Sequence, residues 1–474
     1  MTPAPTVKVT SGSGAPSTSI ATDTGTWFVT GLFERGPVGK AVEILSYSQL
    51  VSTFGAREAS TYMHDAIQTF FEEGGARCEV SRAVGPTPVL ATVKAKNGSA
   101  EDTLQIDAAS YGAWANDIDV VITVESTNFS LDVKEDGVVV EEGGPFATNA
   151  EAVAWAANSS YIRLKDLGKG DPAEGTKELA SGTDDRGNIT ETQWATALAQ
   201  FGKDLGPGQV SRPGATTAEA QKALLVHARD YNRVALLDGT DTATVGTLTA
   251  QAATLRAETT ARYGGLFAPW AVIPGLTLGT TRTVPYCAVQ AGLTARSDGA
   301  SDNSNLAIAG EERGVARYAE SLSQVGWSAT ERDTLADAGV NVARIIGSAV
   351  VTYDDLSLVN GVVDDTYLLL SNNRCIMQIQ AESYAVGRRH LFRQIDGQKL
   401  ETSDFGNDIN GEVLLPLYDK NALFGETPEE AYTVDTGDAV NTEKTISEKR
   451  LKANLLVEIT GSARTIEINV NVEA

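Results

Sequence analysis

Histidine and cysteine are the side chains best suited to bind metal, or to act as bases and nucleophiles, near neutral pH. This chain holds three of each: His64, His227 and His390, with Cys78, Cys287 and Cys375. Metal binding needs such residues at close spacing, as in Cys-x-x-Cys or His-Glu-x-x-His, and neither pattern occurs. Each histidine falls in a stretch of helical spacing without a ligand partner at metal spacing, so each reads as a structural histidine. A serine hydrolase would need a Ser-His-Asp set with an oxyanion hole. His227 lies mid-helix between Val226 and Ala228, where it serves no such set. Gly206-Pro207-Gly208 is no phosphate loop, because no Lys-Ser or Lys-Thr follows and the proline lacks a backbone donor. The cysteines are odd in number and far apart, which fits buried free thiols in a reducing compartment. The expectation is a protein with no catalytic residue, no metal and no cofactor.

What remains is the chemistry of surfaces. The 474 residues suffice for two to four domains, and 42% hydrophobic with 21% charged residues is the balance of a soluble globular protein. A net charge of −24 argues against nucleic acid as a partner, since phosphate binding relies on basic surface. The apolar run Leu266–Leu278 is broken by Pro269 and Pro274, so no membrane span is expected, and the N-terminus lacks the basic start and apolar core of a signal peptide. Against this acidic background Arg388, Arg389, Arg393 and Lys399 cluster, with Lys420 not far beyond. A solvated helix end and a surface that meets acidic groups on a partner both account for the cluster.

The elements that must position such surfaces follow from periodicity. At the C-terminus, Leu451, Ala453, Leu455, Val457 and Ile459 alternate with polar residues, and the alternation resumes at Ile466, Ile468, Val470 and Val472. Period two predicts two half-buried strands. They fit a hairpin closing its own domain, or a strand lent to a neighbour's sheet edge. Residues 1–25 are rich in Thr, Ser, Pro, Gly and Ala, with a β-like patch at Val7 and Val9. They read as a flexible arm, or as one that orders on a partner's sheet. Residues 26–88 carry strand and helix signals in α/β order, and 89–190 carry short strands with Gly, Asn and Asp turns, including a hairpin signal at Asp136-Gly137. Residues 191–361 alternate helices and strands, 362–460 form an α+β block, and 461–474 hold the terminal strand.

Several phrases then fall in a familiar order. VTGLFERGPVGKAVEILSYSQLVSTFG and FFEEGGARCEVSRAVG resemble the N-terminal region of tail sheath proteins of contractile-tailed bacteriophages. SYGAWANDIDVVI and LASGTD are similar to the sheath β-sandwich, and LGPGQVSRPG, LFAPWAVIP, VPYCAVQAGLTARSDGA and AGVNVARII to its middle domain. The segment from Asp364 to Phe392 resembles the family's strand, arginine and long helix, and NDINGEVLLPLYDKNALFG its following helix. The match runs from about residue 25 to the last residue; the N-terminal APTVKVT departs from the family's usual word.

The resemblance implies an α+β and α/β multidomain protein, with a β-sandwich insertion, a subtilisin-like middle domain lacking a catalytic site, and a C-terminal domain with exchanged terminal strands. It implies a virion tail sheath, assembled in the host bacterial cytoplasm as stacked hexameric rings and contracting to drive a tube through the host envelope. Partners would be further copies of the chain, the tail tube, baseplate and tail terminator proteins. A tailocin or other phage-like injection particle is the alternative. Val7, Val9, Ile466, Ile468, Val470 and Val472 would be the exchanged residues, entering a sheet that carries Cys375, Met377, Ile379, Leu455, Val457 and Ile459. The 26–88 segment would pack with the C-terminal domain, and Arg388, Arg389, Arg393, Lys399 and Lys420 would face the tube.

Overall fold

The computed structural model describes residues 6–11, 22–301, 303–361, 366–396 and 399–464. The chain is a mixed α/β protein with several sheets, and it divides into two units. One holds residues 1–29, 66–78 and 202–474, the other 30–65 and 79–201.

The larger unit is built on a sheet ordered Ala349–Thr352, Val340–Ile346, Gly264–Ala268, Val234–Asp238, Gln209–Ser211 and the start of Trp27–Gly31. All neighbours in it are parallel except Ala349–Thr352, an antiparallel edge. Val234–Asp238 and Gly264–Ala268 are buried throughout, the continuous burial that a parallel sheet covered on both faces requires. Helices Ala218–Tyr231 and Val245–Arg256 intervene, each started by a threonine hydroxyl, Thr217 or Thr244, that accepts a backbone N–H of the first turn. Asn232 ends the first of these in a left-handed conformation, φ 54°. In the LGPGQVSRPG phrase, a Cβ on Gly208 would lie 2.2 Å from the Thr26 carbonyl oxygen, so only glycine lets these backbones approach. The phrase LFAPWAVIP spans two strands, Gly264–Ala268 and Ala271–Pro274. Pro269, with no N–H to donate, separates them.

In the smaller unit, two antiparallel sheets enclose one core. The first runs Gly175–Glu178, Ile118–Glu125, Asn128–Glu135, Val138–Phe146; the second Thr92–Lys96, Asp102–Ala108, Ile162–Asp166. Leu104, Ile106, Ile118, Val120, Leu131 and Val133 meet between them, the alternate residues of period-two strands. Asp136 and Gly137 both take positive φ, 52° and 79°, as a two-residue type I′ hairpin requires.

One arginine ties the loops of this unit together. Arg82 is buried, and its guanidinium donates to the carbonyl oxygens of Phe33, Glu34, Gly36 and Tyr111 and to the Asp184 carboxylate. Burial pushes its titration down to about 10, against the opposing pull of Asp184. Lysine cannot reproduce a planar fork with five donors. Arg82→Lys and Arg82→Ala should each lower stability in denaturant, the alanine variant by roughly 2–4 kcal/mol, because the Glu34, Gly36 and Tyr111 carbonyls lose this donor while Arg186 still pairs Asp184 and Phe33. An unchanged midpoint for Arg82→Ala would show that these loops are held by other contacts.

Candidate assembly surfaces

The candidate surfaces lie around the helix Leu370–His390, 21 residues of which 15 are buried. This corrects one expectation. Cys375, Met377 and Ile379 were expected in a strand of the acceptor sheet, and they lie on this helix. Their alternation spans only three apolar residues. Arg374, Gln378 and Gln380 beside them are buried too, so the helix is covered on nearly every side and no 3.6-residue stripe shows in the sequence.

Polar pairs hold the helix at both ends. At its start, the Asp355 carboxylate accepts the Ser371 N–H at 3.0 Å, and the Asp355 carbonyl accepts the Leu370 N–H at 2.9 Å. Arg374, 2% exposed, pairs with Asp298, whose other oxygen accepts the Thr24 hydroxyl at 2.6 Å. At its end, buried His390 places Nδ1 2.6 Å from Glu401 and Nε2 2.9 Å from Asp408, both on the helix Leu400–Ile409. A π turn, Asn410–Leu414, continues that helix and stands just before Pro416, which removes one N–H and crowds the turn behind it.

Cys375, Ile379 and Val386 pack with Val413, Leu417 and Leu423 in the core beneath a two-stranded sheet. Its strands are Tyr432–Asp435 and Asn454–Val457, antiparallel, with Tyr432 opposite Val457 and Val434 opposite Leu455. The expected alternation is present: Leu455, Val457 and Ile459 are half-buried against the core, while Leu456 is 72% exposed. Ile459 bridges to Leu423. Among the described residues no further strand joins this sheet beside Asn454–Val457. Ile466, Ile468, Val470 and Val472 lie outside the described residues.

At the other end of the chain, Val7 and Val9 are half-buried while Thr6, Lys8 and Thr10 are exposed. Of the basic residues, Arg388 and Arg389 occupy the last helical turn and face solvent. Arg389 pairs with Glu412, Arg393 with Glu401 at 3.8 Å, and Lys399 with Asp438. Lys420 is exposed on the turn after Leu415–Asp419. Arg388 takes part in no ion pair among the described residues.

The histidines and cysteines do not converge. His64 places Nε2 3.0 Å from the Gly55 carbonyl, and burial lowers its titration. His227 stacks on Tyr231, and burial, with the Arg233 charge beside it, pushes its titration down to about 2. None of the three cysteines is in a disulfide and all are buried; burial pushes the Cys375 thiol up to about 12. No metal-binding group of His, Cys, Asp and Glu forms among the described residues. A cavity of about 380 Å³ beside Thr460–Ser462 is lined by Asn303, Asn305, Glu311 and Arg313 among others, and by neither histidine nor cysteine.

Sequence reasoning missed Asp298 and Asp355. Nothing local marks a carboxylate that will be buried; only its partner far along the chain does.

No protein-family model and no curated protein sequence matches the chain. Solved structures do. A sheath tail protein from Desulfitobacterium hafniense is 15% identical with a TM-score of 0.59, covering 91% of this chain and 93% of its own. A sheath tail protein from Listeria innocua is 14% identical with a TM-score of 0.64, covering 88% and 89%. The helical sheath of the anti-feeding prophage in its contracted state is 14% identical with a TM-score of 0.56, covering 99% of each. The chain therefore has the fold of contractile tail sheath proteins, along nearly its whole length.

The buried carboxyl at the start of the long helix gives a pH test. Burial pushes Asp355 up to about 6, against the lowering effects of Ser371 and Arg374. The folded state thus holds the proton more tightly than the unfolded chain, and that stability is present at acid pH and lost as pH rises through about 6. Wild type should lose about 2 kcal/mol relative to Asp355→Asn between about pH 4 and pH 7. Denaturant unfolding of both at the two pH values measures it, and a pH-independent difference would refute it.

Proposed function

We propose that the chain is the sheath subunit of a contractile tail, polymerising as stacked hexameric rings around a tail tube. The observation that carries this reading is the end-to-end match to sheath folds, one of them in a contracted assembly. Two surfaces fit it. The side of Asn454–Val457 that no described strand pairs with would take strands from neighbouring copies by backbone pairing, with Ile466, Ile468, Val470 and Val472 as the lent residues. Leu455, Val457 and Ile459 remain the proposed acceptor, now with Cys375, Met377 and Ile379 on the supporting helix. When a baseplate triggers the array, subunits reorient largely as rigid bodies while the arms keep them joined, and the tube crosses the host envelope. A tail terminator would cap the array. The particle would be a phage virion assembled in the bacterial cytoplasm; the match to the anti-feeding prophage sheath favours, as a second reading, a phage-like injection particle.

Electron microscopy of the full chain beside a chain ending at Gly461 tests the assembly. Hollow tubes from the full chain that are lost on truncation are expected; tubes from both would mean that the terminal segment only closes its own domain. The tube-facing patch is tested separately. Arg388→Glu should abolish co-sedimentation with an acidic tube protein and leave tubes of sheath alone intact, because single exposed ion pairs are weak but repeat at every subunit. Undiminished co-sedimentation would move the tube contact elsewhere.

A further inference from the structure

Beyond the two-stranded sheet the chain runs along Thr460–Arg464, and this stretch is fastened at both ends. At Thr460 the fastening is buried. Asn305, 6% exposed, donates Nδ2 to the Ala422 carbonyl at 2.8 Å and to the Thr460 carbonyl at 2.9 Å. The Thr460 N–H donates to the same Ala422 carbonyl at 3.0 Å. At Arg464 the fastening faces water. The guanidinium meets the Asp354 carboxylate twice, Nε to Oδ1 at 3.2 Å and Nη2 to Oδ2 at 2.8 Å, and the Arg464 side chain is 42% exposed. Between the two ends, Gly461, Ser462 and Ala463 are exposed. A cavity of about 380 Å³ borders Thr460, Gly461 and Ser462, and a Cβ on Gly461 would meet nothing within 4 Å. Thr460–Arg464 is a strap with room to move.

Its two ends are unequal. Opening the Asn305 end would strip the buried Ala422 carbonyl and the Asn305 amide of their partners, which carries a full desolvation penalty. Opening the Arg464 end exchanges one half-hydrated ion pair for water, at little cost. The strap therefore releases at Asp354 first. Asp354 keeps a second hold when it does, since its Oδ1 also accepts the Asp355 N–H at 3.0 Å.

Reach decides what this release controls. Ile466, the first of the residues proposed above to pair with another copy, is two positions past Arg464 and six past Thr460. With Arg464 held, Ile466 stays within about 7 Å of it; with Arg464 free, Ile466 ranges to about 21 Å from Thr460. Resting on the sheath reading above, we infer that the Arg464–Asp354 pair is an assembly latch. It holds the start of the terminal segment against its own subunit, and it must open before that segment pairs with a second copy. Rising ionic strength weakens an exposed ion pair, so the latch is sensitive to salt.

Trypsin must draw an arginine side chain into its specificity pocket, so a latched Arg464 resists cleavage. The test uses the full chain, wild type beside Asp354→Asn, whose amide oxygen can still accept the Asp355 N–H. Release of residues 465–474, followed by mass spectrometry, should be roughly two- to fivefold faster from Asp354→Asn, and added salt should speed it in wild type alone. The threshold concentration for tubes should fall in Asp354→Asn. Arg464→Gln should lower that threshold equally, and the double variant should lower it no further. Equal release from wild type and Asp354→Asn overturns the latch. Faster release with an unchanged tube threshold overturns its control of assembly and leaves the latch standing. Faster release from chains that form no tubes in any variant removes the sheath reading, and the assembly role with it, while the latch stands.

Discussion

A helix that is polar and yet buried on most sides persists only when its charges and ends are paired. Leu370–His390 is such a helix, with Arg374, Gln378 and Gln380 buried along it. Each unpaired charge in that position would cost several kcal/mol. Asp298 answers Arg374, Asp355 answers the first turn, and Glu401 with Asp408 answers His390. These pairs, more than apolar area, set where the helix starts, where it stops and which way each face turns. The surfaces follow from that placement. Cys375 and Ile379 support the two-stranded sheet, Gly387 meets Val7, and Arg388 is carried to the exposed end.

The strands of this protein were legible in its sequence, because period two survives in any strand with one wet face. Leu455, Val457 and Ile459 kept that pattern in the fold, and so did Val7 and Val9. The helix Ala218–Tyr231 carries local signals too, a threonine before its first residue and an asparagine after its last. Arg374–Gln380 was misread because burial on all sides leaves no stripe to read. The contact at Gly387 could not be read either. Glycine inside a helical run signals some close approach, but what approaches it comes from residue 7, some 380 positions away. The same holds for Arg82, whose acceptors are backbone carbonyls that carry no sequence mark.

Net charge constrains how copies of this chain can join. At −24, repulsion between copies opposes association at long range. Contacts that depend on charge would have to work against it, and most of the basic residues near the end of the long helix are occupied by carboxylates of their own module. Backbone pairing along a strand edge carries no such dependence.

The two kinds of contact also differ in how they respond to movement. A strand paired along an edge resists pulling because its hydrogen bonds share the load, and it tolerates rotation of the body behind a flexible connection. An exposed ion pair releases easily, since water and other carboxylates replace the partner at little cost. A subunit that must stay joined to its neighbours while changing its contact with a central tube needs the first kind at its termini and the second kind at its inner face. Half-buried Val7 and Val9 lie toward one end of the chain and the strand Asn454–Val457 toward the other, while the exposed cation Arg388 stands at the end of the long helix. In the proposed sheath, that division would put durable links where they can swing and breakable ones where they must let go.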